Sequence, residues 1–252
     1  MKTRIRRDIF LLVCAALMLT MTGAGAEAPA FTAAVSLSEG APETAFAVYS
    51  SEEPFPDGDG AFIYRIEYTV AGETEKRELT FPCYGETDLV PLLRFVDLNF
   101  DGHLDLEALY VSGATNTTCT YFLNDGDDAG FTLAPILDNL SSYNLYAKQR
   151  IIVNYEHNSA ASGVYTIFRY EEGVSLPYVY RIASFLDEYV ESTQTFVYKD
   201  FVAEYDAAGN ETILLDQTRG ADFDEASWKT WYDARMALLW DGLDMNEQPV
   251  QR

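Results

Sequence analysis

Histidine is what this chain has least of, two residues in 252, and cysteine follows with three, level with tryptophan. Histidine carries most general acid–base work near neutral pH and most zinc sites. His103 and His157 stand far apart in sequence, so no H-E-x-x-H metal site is present. No G-x-S-x-G elbow and no phosphate-binding glycine loop occurs either. Basic residues are the next scarcity: 17 Lys and Arg stand against 40 Asp and Glu, a net charge of −23. That balance argues against nucleic acid or an anionic membrane surface as partner and favours cations and basic proteins. The expectation is a protein that is not an enzyme. A glycosidase-type carboxylate pair is the enzymatic alternative, because sequence does not place two acids at a fixed separation.

Long apolar runs are also scarce. The prominent one, Ile9 to Met21, follows the basic residues Lys2, Arg4, Arg6 and Arg7 and precedes Ala24-Gly25-Ala26. This is the layout of a cleaved signal peptide over 1–26, too short for a comfortable membrane span. The expected protein is exported, periplasmic or extracellular, with no stable membrane span after cleavage. The 226 residues left keep 13 basic against 39 acidic residues, a charge of −26. They also keep Cys83 and Cys119, which an oxidising compartment could join in a disulfide or leave as thiols.

Residues 27–45 hold small residues and two prolines with little periodicity, and read as a flexible tether or a loosely attached first strand. Phe62, Tyr64, Ile66, Tyr68 and Val70 then alternate with polar residues, as a half-buried strand does. Ala71 to Thr74 turns it back into a second strand, Arg77 to Tyr84. Further pairs are Thr120–Leu123 with Phe131–Leu133, Arg150–Tyr155 with Tyr165–Tyr170, and Phe196–Tyr205 with Thr212–Leu215. Tyr178 to Phe185 lies between the last two pairs. Tyrosine, phenylalanine and β-branched residues fill these segments. One helix is expected at about 224–241, capped by Asp222 or Asp224 and stopped at Gly242. Its Trp228, Trp231, Tyr232, Arg235, Leu239 and Trp240 recur at three- and four-residue spacing. They either pack on a sheet or form a stacking face for sugars.

The stretch Phe95 to Tyr110, FVDLNFDGHLDLEALY, places Asp97, Asn99, Asp101 and Asp105 within nine residues. Like charges this close make sense around a hard cation. Calcium takes about 6–8 oxygens, and a loop supplies them from alternate positions around a glycine. Gly102 permits the turn, and His103 offers its backbone carbonyl rather than its imidazole. Position twelve of a helix-flanked calcium loop would be a glutamate. Here it is Ala108, and the flanks alternate like strands. The expected ligands are therefore Asp97, Asn99, Asp101, His103 and Asp105, in a strand-flanked loop at 97–105. An Asp-Gly hairpin turn without metal is the plainer alternative. Asn124 to Asp128 lacks the spacing and reads as an ordinary turn.

DLNFDGHLDLEAL resembles the calcium loop of FG-GAP/VCBS-type repeats. One good copy is too few for a propeller. The wider order, with YFLNDGDDAGFTLAPILDNL and AKQRIIVNYEHNSAASGVYTIFRYEEG after the loop, is similar to exported bacterial calcium-binding proteins. Members of that family act as lysozyme inhibitors or as immunity proteins against cell-wall hydrolases. The resemblance spans roughly Phe62 to Phe185 and implies calcium at Asp97, Asn99, Asp101 and Asp105. Ser162-Gly163-Val164-Tyr165 resembles the S-G-x-Y loop that some inhibitors insert into the enzyme's cleft, and a turn leading into a strand explains it equally.

The expected architecture is mainly β: an antiparallel sheet domain over 46–221 with one strand-flanked calcium loop. A C-terminal α-helix within 222–252 packs on it. The expected function is non-enzymatic binding or inhibition of a basic, lysozyme-type peptidoglycan hydrolase through Ser162, Gly163 and Tyr165. The alternative is a calcium-dependent surface module for glycan or protein.

Overall fold

The computed structural model describes residues 28–54, 62–70, 73–83, 93–112, 116–124, 126, 130–159, 162–220 and 224–250. The expected signal segment, Asp125, Asp127, Asp128 and Asp222 lie outside the described residues. The fold is mainly β, with three antiparallel sheets and one C-terminal helix packed against strands. Contacts divide the chain into two compact units, 1–91 and 92–251.

The first unit is a meander of β1 (Phe31–Ser36), β2 (Glu43–Pro54), β3 (Phe62–Thr69) and β4 (Arg77–Cys83), paired in chain order. The segment read as a flexible tether or a loosely attached first strand holds β1, which pairs with β2 from Phe31↔Val48 to Ser36↔Glu43. Small residues there weakened the periodic signal without preventing pairing. The alternation expected in β3 is observed: Tyr64, Ile66 and Tyr68 are buried, and Phe46, Val48, Phe81 and Cys83 join them. Phe46 stacks on Tyr68 at 5.7 Å, and the two are register partners. Cys83 in this unit and Cys119 in the other are both buried thiols. Burial pushes the Cys83 thiol pKa up.

The second unit has two sheets. β5 (Leu93–Val96), β6 (Asp105–Ser112), β7 (Thr117–Asn124) and β8 (Phe131–Leu133) form the smaller. The larger runs in the order β14 (Glu211–Gly220), β13 (Thr195–Tyr205), β12 (Tyr178–Val190), β11 (Ser162–Arg169), β10 (Ile151–Ser159) and β9 (Ser142–Tyr146). Period two decides which residue goes where. Ile152 and Phe168 face one way, into a core with Leu98, Leu109, Tyr121, Leu123, Leu137 and Leu140. Ile151, Val153 and Ile167 face the other, packing with Ala183, Val202 and Leu239 of the helix α1 (Glu225–Trp240). Burying a side chain such as Leu239 stabilises by about 1.5–3 kcal/mol.

Both ends of α1 are held. Asp224 is the N-cap, and its carboxylate accepts the Ser227 N–H at 2.7 Å. At the other end Arg181, buried on β12, donates to the carbonyls of Leu238, Leu239 and Asp241 at 2.8–2.9 Å and also bonds Glu204. A guanidinium there satisfies carbonyls that have no helical partner and opposes the negative end of the helix dipole. Beyond α1 the chain returns to β9, where the Val250 N–H donates to the Leu145 carbonyl at 2.9 Å. Glu247, itself buried, accepts the Lys148 N–H at 2.8 Å. The tail thus covers an edge that would otherwise expose unpaired backbone groups.

Candidate metal loop and binding groove

Residues 97–105 join β5 to β6, whose last pair is Val96↔Asp105, so the acidic loop is strand-flanked as expected. Phe100 (φ 61°) and Gly102 (φ 92°) take left-handed conformations that curl the backbone. The curled loop offers its N–H groups inward. Asp97 accepts from Asp101 N–H and Gly102 N–H, both at 3.1 Å. Asn99 Oδ1 also accepts the Asp101 N–H at 3.1 Å, and Asn99 Nδ2 donates to Asp101 Oδ2 at 2.9 Å. Asp101 Oδ1 accepts the His103 N–H at 2.8 Å.

Asp105 behaves differently. It is fully buried, and its oxygens accept from Leu98 N–H at 2.6 Å, Asn99 N–H at 3.3 Å and Asn124 N–H at 2.8 Å. It staples the loop to the start of β6 and the end of β7. Burial pushes its carboxyl up to about 7, against those hydrogen bonds, with the charges of Asp97 and Asp101 adding to the rise. Asp97 is raised for the same leading reason, burial, and by the charge of Asp101.

The donor set suits a hard cation: carboxylates, an amide and backbone oxygens, with two acids that burial disfavours as anions. Among the described residues, however, no group of three or more His, Cys, Asp and Glu is gathered closely enough to hold a metal ion. Asp105 is turned towards backbone amides. A carboxylate has about four lone-pair sites, so three accepted N–H bonds still leave it room for a cation. Loop placement is completed from outside: Arg150, in the turn just before β10, donates to the Asn99 and Phe100 carbonyls, both at 3.1 Å.

The S-G-x-Y residues are not a protruding loop. Ser162 to Tyr165 form the first half of β11, an interior strand of the six-stranded sheet. The register is Tyr155↔Tyr165↔Ala183 and His157↔Gly163↔Phe185. The hairpin reverses between Ser159 and Ser162, which are themselves partners. Ser162 is buried, and its hydroxyl donates to Ser159 Oγ at 2.9 Å. Small residues here allow close packing against a neighbouring ring. A Cβ on Gly163 would stand 2.5 Å from the Tyr155 hydroxyl and 2.7 Å from a ring carbon.

These residues instead line a groove of about 200 Å³ between the sheet and α1. Tyr155, Tyr165 and Phe185 line it from the strands, Trp228 and Tyr232 from the helix. Ser159, His157 and Arg235 add polar groups. Tyr155 and Tyr165 lie 4.5 Å apart, and Trp228 meets Phe185 edge-on at 4.3 Å. Burial, then the neighbouring Tyr232, pushes the Tyr165 hydroxyl up to about 12, so it stays protonated. Arg235 passes over Phe185 at 4.9 Å and donates to buried Asp200 at 2.6 Å, which also receives Arg219 at 2.9 Å. The helix stripe therefore divides: Leu239 is core, whereas Tyr232 is 40% exposed at the groove. Sequence reasoning missed Tyr155, Phe185 and Arg235 as groove residues. The available signal was the shared parity of Tyr155 and His157 and the four-residue spacing of Trp228 and Tyr232.

Neither a known protein-family model nor a curated protein matches the chain. The resemblance of residues 62–185 to calcium-binding hydrolase inhibitors gains no support from them. One solved structure, titled "Structure of a Xanthomonas Type IV Secretion System related protein", is similar at a TM-score of 0.44 and 12% identity. It covers 73% of this chain and 93% of that one. A likeness of that degree carries nothing about function. Among the described residues no helix is long and apolar enough to cross a membrane.

Proposed function

We propose that this chain is an exported, calcium-binding, non-enzymatic recognition module that holds a sugar ring of a surface glycan in the groove beneath α1. The observation that carries this reading is the groove's make-up, five aromatic rings interleaved with serine, tyrosine and histidine donors. Sugar rings present apolar C–H faces and peripheral hydroxyls, and a site of stacked rings with polar tips answers both. The acidic loop would hold calcium through Asp97, Asn99, Asp101, the His103 carbonyl and Asp105. The metal's role would be structural, fixing the end of the sheet to which Arg150 ties the loop.

A second reading keeps a basic, lysozyme-type hydrolase as partner, and the charge of −26 expected after removal of residues 1–26 favours it. Ser162, Gly163 and Tyr165 begin a strand rather than a protruding loop, which favours the first reading over this one. Titration with soluble oligosaccharides, followed by tryptophan fluorescence, separates the two. The glycan reading expects a saturable change that Tyr232→Ala removes while thermal stability is kept. No response at millimolar sugar, together with salt-sensitive inhibition of a lysozyme, would replace it by the second reading.

A further inference from the structure

Tyr170 follows β11 and is 3% exposed, yet among the described residues its hydroxyl has no hydrogen-bond partner. A buried hydroxyl left unpaired costs about 1–3 kcal/mol, so an orphan of this kind asks for an explanation. Its surroundings give one. The Tyr170 ring meets the Phe100 ring of the acidic loop edge-on at 5.7 Å. The Tyr170 N–H donates to the Arg150 carbonyl at 3.0 Å, and the Arg150 side chain holds the loop carbonyls of Asn99 and Phe100. The charges of Asp105, Asp97 and Asp101 all act on the phenol and, after burial, raise its pKa. The hydroxyl is thus a protonated donor within the electrostatic reach of all three acids.

We infer that Tyr170 is a positioning residue of the cation site: its hydroxyl finds its missing partner in the loaded loop, on a carboxylate oxygen or a water held by the ion. The inference rests on the calcium reading of residues 97–105 and extends it to a residue that no loop spacing contains. Partners of this outer kind orient ligands, and losing one typically costs about 10–100-fold in metal affinity. A purely structural tyrosine would behave otherwise: losing its hydroxyl would change the stability of the calcium-free protein and leave calcium affinity alone.

The test is Tyr170→Phe, which removes one oxygen and keeps the ring against Phe100. Calcium affinity is measured by calorimetric titration and calcium-free thermal stability by scanning. The expected result is unchanged or higher calcium-free stability with calcium affinity lowered about 10-fold or more. Equal affinity in the two proteins overturns the inference and leaves the calcium reading intact. A clear drop in calcium-free stability also overturns it, since the hydroxyl then has a partner within the fold. Absence of calcium binding by the wild-type chain overturns both.

Discussion

The acidic loop and the aromatic groove are served by one hairpin and built in opposite ways. The loop is nine contiguous residues gripped by Arg150 and Tyr170, at the open end of β10 and β11. The groove lies at the closed end and gathers residues from Tyr155 to Arg235 across three strands and a helix. At about 3.3 Å per residue, the seven steps from Arg150 to His157 separate the two by roughly 23 Å along the strand. A contiguous site needs only local turns to form. The groove requires register, helix docking and a buried charge network to be right together. The loop should therefore tolerate changes that abolish the groove.

The largest effect that separates them is expected at Asp200. It is buried between Arg235 and Arg219, and Asp200→Ala leaves two guanidinium groups short of a carboxylate. Breaking such a buried pair costs about 3–5 kcal/mol. Denaturant unfolding should show that loss. Sugar response should vanish, while calcium affinity measured on the folded protein is retained.

Gly163→Ala comes next. The new Cβ meets the Tyr155 ring, so the ring must leave the groove, at an overpacking cost of about 1–3 kcal/mol. Sugar binding should fall far more than the melting temperature. Wild-type sugar affinity in this variant would show that Tyr155 is not part of the site.

Asp105 sharpens the other side of the comparison. Its folded pKa, about 7, lies above the unfolded value of about 3.9. Below the unfolded value both states hold the proton, and its contribution to stability is fully present. As pH rises from about 4 to 7, the unfolded chain releases the proton first and calcium-free stability falls on this account. Calcium binding should then release close to one proton per ion at pH 6 and almost none at pH 8.5. Titration in two buffers of different ionisation enthalpy measures this, and equal proton release at both pH values would contradict the assignment of Asp105.

The smallest effect is Asp224→Ala, which removes the N-cap of α1 at a cost of about 1 kcal/mol. The groove should weaken modestly through Trp228, and the loop should not respond.

Legibility in the sequence followed the same division. Strand alternation at Tyr64, Ile66 and Tyr68 and the strand flanks of the loop are local patterns legible from neighbouring residues, and the sequence narrows the cap to Asp222 or Asp224, of which the structure shows Asp224. Arg150 and Tyr170 lie beyond the loop's spacing, so no motif could include them. Ser162 to Tyr165 misled because small residues suit both a turn and a strand crowded by a ring. The contact between Gly163 and Tyr155 that decides the case depends on cross-strand register. The thirteen-residue β12 runs five residues beyond the expected end at Phe185, because pairing with β13 extends it, whereas β13 is expected over nearly its whole length.

The most direct test of the central claim is the thermal midpoint of wild-type protein and Asp101→Ala, each with millimolar calcium and with chelator. Asp101 is exposed and its hydrogen bonds stay within the loop, so its loss should cost the calcium-free protein little. At a hundredfold excess over the dissociation constant, calcium should stabilise the wild type by about 2.7 kcal/mol, a shift that Asp101→Ala abolishes. Identical transitions with and without calcium in the wild type would contradict it.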